Sequence, residues 1–175
     1  MLGFYADFGH GSDQYKWLEH DLSKVNRTKT PWLIVIVHTP WYNSGYSHLG
    51  EKESVDMKES MEELLYNTRV DVVLAGHIHI YERFNRVYKE KEAICAPVHI
   101  PIGDGGNLCS GEFIKPQSET STFKESSFGH GEFIVAGESF ASWSWHRNDD
   151  DESVQADTLP IQSIASDPLC NKMII

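Results

Sequence analysis

The sequence predicts an α/β fold in which a parallel βαβ unit is followed by mainly antiparallel strands. Two apolar runs rich in β-branched residues, at positions 32–37 and 70–75, have the composition of buried parallel strands. Between them, apolar residues recur at helical spacing and predict a helix over residues 53–67. A helix that joins two buried strands is typical of a βαβ unit, so the strands should run parallel with a right-handed crossover.

The chain before this unit contains a predicted helix and a candidate modification site. Ser12 is the predicted N-cap, and apolar residues at helical spacing continue the helix to about Asp21 or Lys24. The triplet that begins at Asn26 matches the N-glycosylation pattern. Asn26 is therefore a candidate glycosylation site, provided that the chain enters the secretory pathway.

Beyond Arg83 the chain changes to short segments of alternating hydrophobicity. These segments predict antiparallel strands at residues 84–87, 98–102, 131–135 and 141–145. We expect residues 115–125 to form a polar loop and the charge run at residues 146–151 to be a solvated end. Residues 1–151 are therefore assigned to one domain, and residues 152–175 are expected to form an irregular tail.

The composition narrows the classes of partner. The net charge of −11 would repel nucleic acid and anionic membranes over most of the surface, so neither is expected as a partner. No apolar run approaches the roughly 20 residues that span a bilayer, and the opening residues lack the basic and apolar regions of a signal peptide. Among the three cysteines, Cys95 and Cys109 are candidates for a disulfide, with free thiols as the alternative.

Histidines follow both predicted parallel strands. His38 comes directly after the first strand, and His77 follows Gly76 at the end of the second. Because the carboxyl ends of parallel strands meet at one edge of a sheet, the two imidazoles should lie close together. If the backbone stays extended past Gly76, His79 points the same way as His77, whereas the alternative is two polar residues in a surface turn. Three such histidines suit one transition metal, or a pair about 3.5–4 Å apart that hydrolyses phosphate esters.

The residues around these histidines carry a family resemblance. Residues 35–38 resemble the V-x-x-H motif of the calcineurin-like metallophosphoesterases, and residues 76–79 resemble their G-H-x-H motif. Six stretches are similar to the plant-type purple acid phosphatases: residues 12–18, 38–43, 76–83, 102–107, 127–131 and 143–148. The resemblance runs from about Tyr5 to Asp151, and its part from about residue 84 includes the family's C-terminal segment. It implies the C-terminal half of a four-layer α/β/β/α sandwich.

The resemblance implies a dinuclear metal centre that hydrolyses small phosphate monoesters. In that family pattern His38 and His77 would bind a divalent metal, which is zinc, manganese or iron, and His79 would bind a ferric ion. His48 matches a family histidine that contacts the substrate phosphate and protonates the leaving alkoxide, although a lone loop histidine is more often a solvated surface residue. The family also implies a secreted or vacuolar glycoprotein that can form a homodimer.

The sequence departs from the family at the other metal ligands. Four of the family's seven ligands belong to G-D-x-G, G-D-x-x-Y and G-N-H-E motifs that precede the region present here, and none of these motifs appears in its place. Asp104 fits G-D-x-G formally, but it follows the histidine motifs and is not expected to bind metal. Tyr5 lacks the context of the family tyrosinate and is rejected for that role. The strands that carry the absent motifs are missing too, so we expect an exposed sheet edge.

Two functional hypotheses therefore remain. The first is a purple acid phosphatase-like hydrolase that lacks the N-terminal ligand motifs, with little or no turnover by this chain alone. The alternative is a truncated non-catalytic fragment, or a mononuclear zinc-binding module in which three neutral imidazoles and a water hold one ion. The metal content of the purified chain distinguishes the hypotheses.

Overall fold

The chain begins with the predicted amphipathic helix. The structure, a computed structural model, describes residues 1–107, 111–148 and 152–171. Helix α1 covers Asp13–Ser23, and the hydroxyl of Ser12 accepts a hydrogen bond from the N–H of Tyr15 at 3.1 Å. This bond satisfies one of the N–H groups that a helix N-terminus leaves without a partner, so the predicted N-cap is confirmed. None of the described helices has the length and apolar character needed to cross a membrane.

The parallel βαβ unit forms the centre of the fold. Strand β1 covers Ile34–Val37, helix α2 covers Lys52–Asn67 and strand β2 covers Val72–Ala75. The two strands pair in parallel, with Val37 opposite Ala75 at their carboxyl ends. The predicted unit is confirmed, with both strands shorter than the apolar runs that predicted them.

The rest of the chain contributes eight further strands among the described residues. They are β3 (Tyr81–Phe84), β4 (Val87–Tyr88), β5 (Lys91–Glu92), β6 (Val98–Pro101), β7 (Ser121–Glu125), β8 (Gly129–Val135), β9 (Phe140–Arg147) and β10 (Val154–Gln162). Antiparallel pairing joins β3 to β7 and β4 to β5, and it forms a sheet in the order β10-β9-β8. The antiparallel strands predicted at residues 131–135 and 141–145 are confirmed within β8 and β9, whereas the strand predicted at residues 84–87 overlaps only the end of β3 and the start of β4.

Strand β6 departs from that prediction because it joins the parallel sheet. It pairs in parallel with β2, which gives the order β1-β2-β6, whereas the sequence predicted an antiparallel strand at residues 98–102. All of its residues are buried, as expected of a strand covered on both faces. The polar residue His99 interrupts its apolar run, and this interruption imitates the alternation of a half-exposed strand.

Two segments predicted to lack regular structure contain strands. β7 lies within the predicted loop 115–125, and β10 lies within the predicted irregular tail 152–175, so both expectations are wrong there. β10 pairs with the preceding strand β9 over most of its length, although Asp157 and Pro160 interrupt the apolar alternation expected of a strand. A 3₁₀ turn at Ile164–Ser166 and the short helix α3 at Pro168–Asn171 follow it. Residues 149–151 of the predicted charged end lie outside the described residues.

The parallel sheet lies between the helices and the antiparallel sheet. On one face, Val35 of β1 belongs to the same buried cluster as Met57 of α2. On the other face, Val72 of β2 belongs to a cluster with Trp145 of β9. The described residues therefore build three layers, α/β/β, of the predicted four-layer sandwich.

Strand β1 lies at an open edge of the parallel sheet. Its outer edge carries a single parallel bridge, between Leu2 and Val37, among the residues that the structure describes. Ile34 and Ile36 are 37% and 45% exposed. Apolar side chains on an edge strand are a hazard for association with other chains. The expected exposed sheet edge is therefore present.

A disulfide ties the end of the described chain to the segment before β6. It joins Cys95 to Cys170, and both cysteines are buried in a small cluster with Ile164. The candidate pairing of Cys95 with Cys109 and the alternative of a free thiol at Cys95 are therefore both wrong, because the chain after β10 folds back over the segment that contains Cys95. Cys109 itself lies outside the described residues.

Candidate metal centre

His38 and His77 lie next to each other at the carboxyl edge of the parallel sheet. His38 directly follows β1, and its carbonyl accepts a hydrogen bond from the N–H of Gly76 at 3.0 Å. The Nε2 atom of His38 lies 3.1 Å from Nδ1 of His77. The structure thus brings together the two histidines that the sequence places after neighbouring parallel strands.

The backbone after Gly76 is turned rather than extended. His77 has a φ of 67°, in the left-handed region. The N–H groups of Ile78 and Ile80 donate to carbonyls two residues earlier, at 2.8 and 2.9 Å, as in tight γ-type turns. The condition of an extended backbone past Gly76 is therefore not met, and strand alternation does not orient His79. His79 is half-buried. It is not a member of the cluster of possible metal ligands in the described part of the chain, which consists of His48, Glu51 and His77.

His48 and Glu51 join His77 from the loop before α2. One carboxylate oxygen of Glu51 lies 2.5 Å from Nδ1 of His48, and the other lies 2.9 Å from Nε2 of His77. The ligating atoms of these three residues all lie within 4.8 Å of one another. Sequence reasoning missed Glu51, although its position three residues after His48 and directly before a helix was an available signal.

This set of donors fits a divalent transition metal. Imidazole nitrogens and a carboxylate oxygen are the ligands that Zn²⁺ and related ions take in proteins. The His48 side chain is 43% exposed, so water or a substrate can reach the cluster. The residues present can therefore hold a metal ion and leave one side of it accessible.

The electrostatics of the cluster favour a bound cation. Burial lowers the pKa of His38, and the neighbouring His77 lowers it further against the opposing charge of Glu51. The imidazole therefore favours the neutral form that binds metal. Burial raises the pKa of Glu51, but hydrogen bonds with His48 and His77 outweigh burial and hold that pKa below its usual range. The site thus presents an ionised carboxylate beside a neutral imidazole.

Asp104 and Tyr5, which the sequence argument set aside, have other surroundings. The carboxylate of Asp104 accepts a hydrogen bond from Nε1 of Trp145 at 2.8 Å, and this aspartate lies outside the cluster found among the described residues. Tyr5 is 87% exposed, and its ring centroid lies 6.0 Å from that of His38. Asp104 therefore links the loop after β6 to the antiparallel sheet.

A close backbone approach supports the turn that carries His77. The N–H of Gly103 donates to the carbonyl of Ile80 at 3.2 Å. A Cβ atom at Gly103 would lie 2.1 Å from the carbonyl oxygen of Ile78, a distance that no side chain tolerates. Only glycine lets the two backbones approach this closely, so the loop after β6 fixes the position of the turn between His77 and His79.

Comparison with known families divides the chain into two matched regions. Residues 2–81 match the family model described as Calcineurin-like phosphoesterase. Residues 96–156 match the model described as Iron/zinc purple acid phosphatase-like protein C. The first region contains the cluster around His77, and the second contains most of the antiparallel sheet.

Individual relatives agree with these matches. The chain is 55% identical to Probable purple acid phosphatase 20 of Arabidopsis thaliana over 97% of its own length and 40% of the relative's, and 53% identical to Purple acid phosphatase 22 of that plant over 97% and 39%. The solved structure of a purple acid phosphatase from yellow lupin (Lupinus luteus) seeds matches with a TM-score of 0.81 and 25% identity, over 95% of this chain and 32% of that one. The chain thus spans about two fifths of the length of these curated relatives. It belongs to the purple acid phosphatase family of calcineurin-like phosphoesterases.

Proposed function

We propose that the chain is the C-terminal part of a purple acid phosphatase catalytic domain that hydrolyses small phosphate monoesters. The observation that carries the proposal is the convergence of His38, His48, Glu51 and His77 at one sheet edge, in a chain of this family. His38 and His77 would hold the divalent metal, zinc, manganese or iron, and His79 would hold Fe(III). When bound, the metal pair supplies positive charge that stabilises the phosphoryl oxygens.

His48 is the proposed general acid and phosphate contact. Glu51 lies at Nδ1 of its ring, which leaves Nε2 to hold a proton and donate it to the leaving alkoxide oxygen. The ring centroids of His48 and His77 are 4.5 Å apart, so the proton would be donated beside the metal-binding side chains.

The remaining metal ligands are proposed to come from polypeptide outside this chain. The family motifs that carry the bridging aspartate and the tyrosinate do not occur before His38. The exposed side chains of Ile34 and Ile36 beside the open edge of β1 support the same idea, because further strands would cover them. We therefore expect little or no turnover by the isolated chain.

A chimera tests the proposed activity. This chain would replace the corresponding region of the Arabidopsis relative with which it shares 55% identity. We expect the chimera to hydrolyse p-nitrophenyl phosphate at mildly acidic pH and to lose activity with His77→Ala, while the surface variant His20→Ala keeps it. A folded chimera that holds two metals and shows no turnover would contradict the proposal. Robust turnover by the isolated chain would contradict the expectation that it is incomplete.

A mononuclear zinc-binding module is the second candidate function. The observation in its favour is that His48, Glu51 and His77 form a cluster from this chain alone, with His38 in contact with His77. Elemental analysis of the purified chain separates the candidates. Two metals per chain support the enzyme, one zinc supports the module, and no metal supports a non-catalytic fragment.

We also propose that the protein is a secreted or vacuolar glycoprotein. Asn26 is exposed, and its side-chain oxygen accepts hydrogen bonds from the N–H of Thr28 at 3.0 Å and from its hydroxyl at 2.7 Å. The disulfide between Cys95 and Cys170 supports an oxidising compartment. In plant cells, Asn26→Gln should abolish a glycosidase-sensitive mobility shift that Lys29→Ala retains. The homodimer rests on the family alone, and sedimentation of the chimera tests it.

A further inference from the structure

We propose that Glu82 is a positioning residue for the metal centre. Residues 44–51 form a loop that carries His48 and Glu51. Glu82 holds the loop base, which is Ser44 and Gly45, against β3, the strand that follows the turn after His77. This inference rests on the proposed metal-binding role of that loop and adds a residue that lies outside the ligand cluster.

Glu82 is a fully buried carboxylate whose partners lie on the loop base. It is 0% exposed on β3. One oxygen accepts a hydrogen bond from the N–H of Ser44 at 2.7 Å, and the other accepts from the hydroxyls of Ser44 at 2.6 Å and Ser121 at 2.5 Å. A buried carboxylate is stable only while its oxygens accept such bonds. The position of Ser44 is therefore strongly coupled to that of Glu82.

Strand β7, which pairs with the strand that carries Glu82, also contacts Ser44. Lys124 of β7 lies opposite Glu82 in the strand register. Its ammonium group donates to the hydroxyl of Ser44 at 3.3 Å. The N–H of Ile114 donates to the carbonyl of Ser44 at 2.8 Å, so both the side chain and the backbone of this serine are held.

The loop base also rests directly on the turn that carries His77. A Cβ atom at Gly45 would lie 3.1 Å from side-chain atoms of both Ile78 and Ile80. These two isoleucines are buried, so the loop base packs against side chains that have little freedom to move. A shift of the loop base over Ile78 and Ile80 would change the distances from His48 and Glu51 to His77.

The loop is anchored on both sides of His48. On the side that precedes His48, Glu82 holds Ser44, and the N–H of Tyr46 donates to the carbonyl of Glu112 at 2.8 Å. The other anchor is α2, which begins directly after Glu51. Loss of the Glu82 hydrogen bonds would loosen the loop base, and because the chain can extend by roughly 3.5 Å per residue, a loosened base would let His48 shift relative to His77. Glu82 thus helps to set the positions of His48 and Glu51 relative to His77.

Paired variants test this role against a purely structural one. Glu82→Gln removes the charge at constant size, and Asp157→Asn is its matched control. Asp157 is also a buried carboxylate, and it accepts hydrogen bonds from Tyr81 and Arg83, the two neighbours of Glu82 on β3, without contacting the loop. Both variants should lower the thermal midpoint. Glu82→Gln alone should weaken Zn²⁺ binding at least tenfold by calorimetry, and accelerate amide exchange across residues 46–51 at least tenfold.

If Glu82→Gln does not fold, a second pair of variants with smaller changes tests the same role. Ser44→Ala removes a bond between Glu82 and the loop, and Ser121→Ala removes a bond between Glu82 and β7. Ser44→Ala should weaken Zn²⁺ binding and accelerate exchange across residues 46–51, while Ser121→Ala should change neither. Folded variants of Glu82 and Ser44 with wild-type affinity and exchange would overturn the inference. If the wild-type chain binds no Zn²⁺, the proposed metal role fails, and unchanged exchange across residues 46–51 would then separately overturn the positioning role.

Discussion

The Nε2 atom of His77 lies 2.9 Å from a carboxylate oxygen of Glu51, although the two residues are 26 positions apart in the chain. The other ring nitrogen of His77 lies 3.1 Å from His38. The two contacts leave neither ring nitrogen of His77 unpartnered, so an incoming metal ion must replace one of them. Because Glu51 is the anionic member of the cluster, it should dominate the attraction for that ion.

This relationship predicts the effect of neutralising Glu51. Glu51→Gln keeps the size of the side chain and removes its charge, so the affinity of the chain for Zn²⁺ should fall about 10- to 100-fold, the usual effect of disturbing a metal-supporting group. Isothermal titration calorimetry measures the change. Glu53→Gln is the control, because Glu53 is exposed in the next turn and should leave the affinity unchanged. Equal affinities for the wild type and Glu51→Gln would contradict the assignment of Glu51 to the site.

Gly103 gives a second prediction, since its missing side chain allows the backbone of Ile78 to approach. A Cβ atom there would lie 2.1 Å from the carbonyl oxygen of Ile78 and 2.9 Å from its carbonyl carbon. Gly103→Ala should therefore lower the free energy of unfolding by about 2–4 kcal/mol and weaken metal binding, because the turn after His77 must move. Chemical denaturation and metal titration measure the two effects.

Gly105 supplies the matched control for that change. A Cβ atom at Gly105 would meet nothing within 4 Å. Gly105→Ala should therefore shift the free energy of unfolding by less than about 1 kcal/mol and leave metal binding intact. A Gly103→Ala variant as stable as Gly105→Ala would show that the loop after β6 does not constrain the turn.

Local sequence patterns were sufficient to predict the sheet edge where the site lies. The apolar run before His38 and the run before Gly76 each predicted a buried strand, and the intervening helical stripe predicted that the strands are parallel. Parallel pairing places the residues after both strands at the same edge, so the proximity of His38 and His77 required no further tertiary information.

The rest of the site depends on contacts that no local pattern reveals. The left-handed backbone of His77 accompanies the approach of the Gly103 backbone from the loop after β6, and no helical or strand periodicity encodes it. Glu51 joins the cluster from a loop whose base is held at Ser44 by Glu82, a contact between residues 38 positions apart in the chain. Strand β10 was also not predicted. Its own residues do not alternate between apolar and polar, and its strand conformation is stabilised by pairing with β9.

The buried histidine of β6 gives a prediction about pH. His99 is 3% exposed between the rings of Trp41 and Tyr42. Burial, with a smaller contribution from Lys58, lowers the pKa of His99 to about 3. In the unfolded chain a histidine has a pKa of about 6.5, so between about pH 6.5 and 3 the unfolded state binds a proton that the folded state does not. His99 should therefore destabilise the fold increasingly as the pH falls through this window, by up to about 1.4 kcal/mol per pH unit.

Replacement of His99 by an apolar residue should remove that part of the pH dependence. The free energy of unfolding of His99→Leu, measured with urea at pH 7 and pH 5, should fall less steeply with acid than that of the wild type. His20→Gln is the control, because His20 is exposed on α1 and should keep the wild-type slope. Identical slopes for the wild type and His99→Leu would mean that His99 is protonated equally in both states.

The disulfide between Cys95 and Cys170 gives the last prediction, because the chain has three cysteines and the sequence alone offered only a different pair, or free thiols. The bridge closes a loop across a separation of 75 residues, so Cys170→Ser should lower the free energy of unfolding by about 2–4 kcal/mol, while Cys109→Ser should leave it nearly unchanged. Thiol titration of the unreduced, denatured proteins decides the pairing without reference to stability. A bridge between Cys95 and Cys170 leaves two titratable thiols in Cys170→Ser and none in Cys109→Ser. A bridge between Cys95 and Cys109 would give the reverse result and would contradict the fold of the chain after β10.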